Sequence, residues 1–184
     1  MTGMTTIFIG LVCWNTVFLA ATLWLALTNN PWHWAAGLVT GIFMVLIHCI
    51  VFMHFMGTGK GIKESVENFD LPNDPKTGYV RRTRKFKMIT SPHATFAPLA
   101  IMVAIWLGGW FHSHLMIERE ELAAAFQWHR WAAWLAIAYN YYAFYVEWKV
   151  IRENTAMICE INALIAAKEK SEQIPASAPD GTLS

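Results

Sequence analysis

Charged residues are scarce in this 184-residue chain. They make up 15% of it, whereas hydrophobic residues make up 55% and ten residues are tryptophan. This balance argues against an ordinary soluble domain, which carries more charge and less apolar surface. The formal net charge is +1, so no global excess of either sign favours nucleic acid as a partner. The solvent predicted for most of the chain is therefore a lipid bilayer.

Cysteine is also sparse, and Cys13, Cys49 and Cys159 are far apart and form no CxxC pair. Such spacing argues against a disulfide framework and against a zinc site built on cysteine.

A phosphate-binding loop is lacking too, because the segment 59–61, Gly-Lys-Gly, has no Ser or Thr after its lysine and follows an apolar run. No lysine or arginine precedes the first apolar run at Ile7, which favours a retained membrane span over a cleaved signal peptide.

Long apolar runs, by contrast, are present four times, each long enough to cross roughly 30 Å of hydrocarbon at about 1.5 Å per helical residue. They cover residues 6–27, 35–56, 95–115 and 126–148. Short turns join the first run to the second and the third to the fourth, which forces antiparallel pairs. The predicted fold class is an all-α integral membrane protein, a four-transmembrane-helix bundle of two antiparallel hairpins. A polar cytoplasmic loop, residues 57–93, joins the hairpins.

The chain is predicted to divide into a membrane domain, residues 1–150, a cytoplasmic helical extension of the last span, residues 151–172, and a flexible tail, residues 173–184. The extension contains no glycine or proline, and the tail has too few apolar residues for a core. One stripe of the extension is apolar and repeats at helical spacings: Ile151, Ile158, Ile161 and Ile165. Such a stripe needs cover, which predicts either a partner or a fold-back onto the 57–93 loop.

The basic residues set the orientation, because lysine and arginine are retained on the cytoplasmic side during insertion. Twelve of the fourteen lie in the 57–93 loop or after the last span, and only Arg119 and Arg130 lie on the other side. The prediction is a multi-pass protein of a bacterial inner membrane with both termini in the cytoplasm. Six tryptophans then fall near the outer interface, where an indole ring is favourable: Trp24, Trp32, Trp34, Trp110, Trp128 and Trp131.

Histidine is the most informative residue type, because ionisable side chains are costly in a membrane and often functional there. Six histidines lie in or at the ends of the predicted spans: His48, His54, His93, His112, His114 and His129. Two histidines at matching depth on neighbouring helices can supply both axial nitrogens of a b-type haem. The predicted inner pair of haem ligands is His54 with His93. The predicted outer pair is His129 with His112 or His114. His48 is a further candidate haem ligand.

In architecture, such a bundle resembles the cytochrome b anchors of quinone-linked oxidoreductases, and the resemblance implies electron transfer across the membrane. A structural alternative is that each histidine bonds to a neighbouring helix or meets water at an interface. In a third alternative, His112, His114 and His129, together with Glu118 and Glu120, hold a zinc or copper ion at the outer face. A fourth is transport of a small solute, although the spans lack Asp, Lys and Arg at mid-depth.

Polar groups in the fourth run receive a structural interpretation. The segment 139–145 contains four tyrosines and Asn140, which are predicted to hydrogen-bond across a helix interface. Glu147 is predicted to lie at the cytoplasmic boundary, paired with Lys149, Arg152 or loop arginines, without a catalytic role.

The favoured interpretation is a small accessory or anchor subunit of a larger membrane complex of the energy-transducing kind, without catalysis of its own. Gly37 and Gly41 form a small-residue face of the type that lets helices approach closely in lipid. This face and the apolar stripe over residues 151–165 predict contacts with other membrane subunits and with lipid. The alternative is a bis-histidine haem b electron-transfer subunit that works with quinone.

Overall fold

The computed structural model describes residues 3–75, 77–113 and 119–173, and the regular secondary structure within these ranges is all helix, joined by the connections at 28–32 and 69–78. Side chains are described there except at 111–123, 125, 172 and 173. The four helices are α1 (Gly3–Leu27), α2 (His33–Asn68), α3 (Tyr79–Ser113) and α4 (Arg119–Gln173). The predicted all-α class is confirmed.

Three of these helices are long and apolar enough to cross a membrane: α1, α2 and the part of α3 over Tyr79–Trp110. Their outward faces carry large exposed apolar side chains such as Trp14, Ile42 and Trp106. Lipid is the solvent in which such faces are stable, so the prediction of several transmembrane helices is confirmed. α4 is less apolar than the others, because tyrosines and polar residues interrupt its first half.

The helices α2 and α3 are longer than the sequence pattern predicted, so that most of the 57–93 segment is helical and only residues 69–78 connect them. The helix α2 continues through Gly57 to Asn68. Gly59 allows a close approach to Lys87 and Thr83 of α3. α3 also continues through Pro92. Local helix-breaking residues were therefore a poor guide where tertiary packing supports the helix.

The polar ends of α2, α3 and α4 pack together into what we call the end bundle, residues 57–91 and 149–170. Its core is apolar and contains residues from all three helices: Ile62, Val66, Phe86, Ile151, Met157 and Ile161. The predicted stripe therefore lies against this chain itself, since Ile158 and Ile165 also pack against the core. Of the two alternatives for covering the stripe, the structure has the fold-back, so the stripe no longer argues for a partner.

The surface of the end bundle is closed by polar contacts. The hydroxyl of Tyr79 and the guanidinium of Arg82 donate to the two carboxylate oxygens of Glu160, at 2.9 and 3.1 Å. The hydrogen bond from Tyr79 and the positive charge of Arg82 lower the pKa of Glu160 from its ordinary value. Lys168 donates to the carbonyl of Phe69 at 2.8 Å. These bonds tie the end of α4 to both neighbouring helices.

The predicted small-residue face is also used inside the chain. A side chain at Gly41 would collide with Ile101 and Ile105 of α3, while Gly37 faces Thr22 of α1. Small residues here let α2 lie close to two of its own neighbours. The small-residue face of α2 therefore packs against α1 and α3 of the same chain.

Candidate functional site

A fully buried histidine and glutamate pair joins α2 to α4. The Nδ1 atom of His48 lies 2.8 Å from Oε1 of Glu147, and both side chains are 0% exposed. The Nε2 atom of His48 lies 3.0 Å from Oδ1 of Asn140, which is also 0% exposed. Both ring nitrogens of His48 are thus occupied by polar partners on α4.

Asn140 has a fixed orientation, and this orientation determines what His48 can do. The Nδ2 amide of Asn140 donates to the carbonyl of Ala97 on α3 at 3.1 Å and to the carbonyl of Ala136 at 2.8 Å. The side-chain oxygen therefore faces His48, whose Nε2 must carry a hydrogen and donate it. The remaining proton is shared between Nδ1 of His48 and Oε1 of Glu147. Imidazolium with carboxylate, and imidazole with carboxylic acid, differ only in which atom holds it.

The pair belongs to a regular series of polar residues along α4. Asn140, Glu147 and Asn154 are separated by seven residues, and all three are 0% exposed. Seven residues are close to two full helical turns, so these side chains lie on one stripe. Each step advances about 10 Å along the helix axis. The three residues therefore define three polar layers in the interior.

α3 contributes to the same layers with the same spacing. The contacts from Tyr79 to Glu160 and from Ala97 to Asn140 show that α3 and α4 run antiparallel. Seven-residue steps from the bond between Ala97 and Asn140 bring Thr90 level with Glu147, and Thr83 level with Asn154. Thr83 and Thr90 are buried, and their hydroxyls bond to carbonyls one turn earlier in α3. The polar layers thus span the α3–α4 interface.

In the layer of Asn154, polar side chains of α2 complete the set. The amide of Asn154 donates to Oγ1 of Thr58 at 3.3 Å and approaches Nε2 of His54 at 3.4 Å. Within the described part of the chain, its own side-chain oxygen, Oδ1, has no hydrogen-bond partner, nor does Oε2 of Glu147, and both atoms are buried. Two adjacent layers therefore each present an unpaired acceptor oxygen to the interior.

A further unpaired amide lies on α1. Asn15 is 0% exposed, and neither its oxygen nor its nitrogen has a partner among the described residues. The hydroxyl of its neighbour Thr16 lies 2.8 Å from the hydroxyl of Tyr141, which places Asn15 near the depth of Asn140. The buried face of α1 consists of Thr5, Phe8, Asn15, Leu19 and Thr22, so α1 presents no titratable group to the site.

The structure does not bring His54 and His93 together. His54 approaches Asn154, whereas Nδ1 of His93 lies 3.3 Å from the hydroxyl of Tyr139. Asn154 and Tyr139 are fifteen residues apart on one continuous helix, a rise of about 22 Å. One iron cannot take both histidines in this arrangement, and His48 has both ring nitrogens occupied. Haem binding stays a prediction that this geometry does not favour.

At the other end of the bundle, His129 meets a histidine that the sequence pattern did not single out. Nδ1 of His129 donates to the carbonyl of Ala104 at 3.0 Å, and Nδ1 of His33 donates to the carbonyl of Thr22 at 3.2 Å. The two imidazole rings are 6.4 Å apart. Among the residues that the structure describes, no group of three or more metal-ligating side chains forms.

The predicted outer metal and haem sites fall largely outside the described side chains. They depend on His112 and His114 in addition to His129, and the side chain of His112 and the whole of His114 lie outside the described part. Both sites stay predictions.

Glu147 is the residue whose interpretation changes most. It was expected to pair with Lys149 or Arg152 at the boundary, but it is buried against His48, while Lys149 is exposed and Arg152 stacks over the ring of Trp148 at 4.9 Å. The series Asn140, Glu147, Asn154 was the signal in the sequence. Three polar residues seven apart in a helix predict a polar stripe turned toward a partner helix.

Comparison with protein-family models, with curated proteins and with solved structures finds no match for this chain. Its function is therefore argued from the buried pair and its surroundings.

Proposed function

We propose that this chain is a four-span membrane subunit of an energy-transducing assembly, in which the His48 and Glu147 pair gains and loses a proton as the assembly works. The observation that carries the proposal is the pair itself, fully buried, with Nδ1 of His48 2.8 Å from Oε1 of Glu147 and Nε2 of His48 in contact with Asn140. Ionisable residues inside membrane spans are costly, and they commonly mark ion pathways and proton relays.

The fourth span in this proposal is the first half of α4. Its outward face is aromatic and exposed, and its polar groups, Asn140 and Glu147, are turned inward. Tyrosine and tryptophan suit the lipid and its interfaces. The exposed aromatic residues of this face are Trp128, Trp131, Trp134, Tyr142 and Tyr145. Four crossings put both termini and the end bundle on the side of the basic residues, the cytoplasm.

The subunit part of the proposal follows from the chemistry of the pair. Glu147 and His48 are closed to substrates, because both side chains are 0% exposed. A buried proton site does work only when a driving reaction or gradient changes its surroundings. That drive comes from partner subunits.

The test is infrared spectroscopy of the purified chain in lipid nanodiscs, titrated from acidic to alkaline pH. We expect a carboxylic C=O band that changes with pH and is lost in Glu147→Gln. Glu153→Gln, which changes an exposed carboxylate of the same helix, is the matched control and should keep the band. A wild-type spectrum without a pH-dependent band from Glu147 would mean that the pair is a fixed structural clamp.

A second measurement tests the assembly. Extraction of native membranes into polymer-bounded lipid discs should release the tagged chain in a complex larger than itself, with the same partners in repeated preparations. A monodisperse monomer in these discs would contradict the subunit part of the proposal and leave the proton site standing.

A further inference from the structure

We infer that the proton reaches Glu147 from the end bundle, by way of Asn154 and Thr58, and that the side chain of Ile151 is the barrier on this route. The inference rests on the proposed function and deepens it, because it names the side from which the buried pair is served. The transferred species is a proton carried by water. Hydronium gives its proton to a carboxylate oxygen of Glu147 and leaves as water, and release is the reverse step.

The route is marked by the two unpaired oxygens. Oε2 of Glu147 and Oδ1 of Asn154 are buried acceptors that find no partner among the described residues, and they lie on one stripe of α4 in adjacent layers. A buried water is stable where it finds polar partners, and these two oxygens offer such partners at both ends of the gap. Thr90, level with Glu147, adds a buried hydroxyl on α3.

Water reaches the Asn154 layer from the surface of the end bundle. Its partners Thr58 and His54 are both half-buried, so the layer is shielded but not sealed. Gly57 beside them carries no side chain and is exposed. Only the last step inward, from Asn154 to Glu147, is closed.

Ile151 closes that step. It lies four residues after Glu147 and three before Asn154, on the same stripe of α4, and is 0% exposed. The layers it separates are about 10 Å apart along the helix, which is too far for direct proton transfer. A change of its side-chain rotamer is the smallest movement that lets water join the two oxygens.

On the opposite side of the pair, the described residues of α2 and α4 offer fewer free polar groups. Asn140 uses both amide hydrogens on carbonyls, and the fully buried Met44 and Ile47 follow in α2. The next buried polar residue of α2 in that direction is Thr40, eight residues from His48 and about 12 Å away along the axis. Among the described residues, the polar groups nearest to the pair along α2 and α4 therefore favour supply from the end bundle.

The titratable groups around the pair come from three helices. α2 contributes His48 and, in the next layer, His54. α3 contributes His93, which lies within electrostatic range of His48, and α4 contributes Tyr139, within range of Glu147. His93 and Tyr139 bond to each other, and they mark a competing route that an experiment has to separate.

The experiment follows the carboxylic band of Glu147 by time-resolved infrared spectroscopy after a pH jump, with the full chain in nanodiscs. We expect Asn154→Leu to slow the protonation by roughly tenfold or more, the effect of a modest added barrier, and Ile151→Ala to accelerate it. Tyr139→Phe, the matched control on the competing route, should leave the rate unchanged. Thr58→Val, a milder change to the same layer, should slow protonation even if Asn154→Leu fails to fold.

The outcomes separate the two proposals. A wild-type chain without a pH-dependent Glu147 band overturns the proposed function. A wild-type chain that protonates normally, with unchanged rates in Asn154→Leu, Thr58→Val and Ile151→Ala, overturns the route alone. Slowing by Tyr139→Phe instead would assign proton uptake to the His93 side.

Discussion

Two buried ionisable side chains, His48 and Glu147, depend on each other for stability. His48 and Glu147 satisfy each other, and each would be an uncompensated charge or an unpaired dipole without its partner. Breaking a buried pair by removing one member typically destabilises a protein by about 3–5 kcal/mol, whereas replacing both members by apolar residues is often neutral. Single and double replacements of the pair should therefore differ strongly in their effect on the free energy of unfolding.

We expect His48→Leu and Glu147→Leu each to lower the free energy of unfolding by about 3 kcal/mol or more, measured by denaturant titration in mixed micelles. The double variant should recover most of this loss, because no buried charge is left uncompensated. Additive losses in the double variant would contradict the structural assignment of the pair.

Residue identity alone did not reveal this site. The sequence pattern drew attention to His48 through its depth, but a histidine in an apolar run has many partners open to it. Which residue faces it depends on how α2 and α4 cross, and hydropathy contains no information on that. Glu147 was misplaced because its neighbours Lys149 and Arg152 suggested a polar boundary, whereas burial is decided by the side of the helix on which a residue lies.

Among the helices, close packing at glycine gives the sharpest prediction. A Cβ atom at Gly108 would lie 2.7 Å from Cε1 of His129, whose ring is held by its bond to the carbonyl of Ala104. Overpacking of this kind costs about 1–3 kcal/mol, so Gly108→Ala should lower the unfolding free energy by that amount. Gly109→Ala is the matched control, because no atom lies within 4 Å of that position. Equal effects of the two substitutions would show that α3 and α4 do not meet at His129.

The end bundle supplies a prediction of pH dependence. The folded-state pKa of Glu160 is lowered by the hydrogen bond from Tyr79 and by Arg82, so its contribution to stability is present above its ordinary pKa of 4.5 and is lost as the pH falls through the lower folded value. Both members of the ion pair are substantially exposed, which limits the effect to about 1 kcal/mol at most.

We therefore expect Glu160→Gln to lower the melting temperature slightly at neutral pH, with a difference from wild type that shrinks as the pH falls below 4.5. Thermal melts of both proteins across this range provide the measurement, and Glu153→Gln serves as the control for loss of an exposed charge. A difference that grows on acidification would contradict the assigned contact.

At the level of the helices, the pattern of apolar residues located α1 and the membrane part of α2 well, since a bilayer leaves few alternatives to a long apolar helix. It failed on the segment 57–93, where charged residues and four glycines suggested a loop. The helices continue there because Ile62 and Phe86 are buried in the end bundle. An apolar stripe that is interrupted by charges is weak evidence in a sequence, and becomes decisive only when a neighbour covers it.

For the molecule as a whole, the orientation can be tested by chemical labelling after removal of the native cysteines. Pro31→Cys lies in the α1–α2 turn and Pro72→Cys in the α2–α3 connection, both at exposed positions. We expect a membrane-impermeant thiol reagent applied to intact cells to label the first and spare the second. Ser171→Cys, near the end of α4, should behave like Pro72→Cys if α4 crosses the membrane. If Ser171→Cys is labelled together with Pro31→Cys while Pro72→Cys is spared, the protein has three spans and α4 does not cross the membrane.

The continuity of α4 has a mechanical consequence. A helix of 55 residues is about 80 Å long, and the structure shows it as one element from the tryptophan-rich end to the last turn of the end bundle. Such a rod tilts as a unit, so a force applied to its far end is felt where Asn140 and Glu147 meet the ring of His48. Hydrogen bonds weaken steeply with small changes of distance and angle. A partner that pulls on the end bundle would therefore change the hydrogen-bond geometry of His48 and Glu147 without contacting either residue.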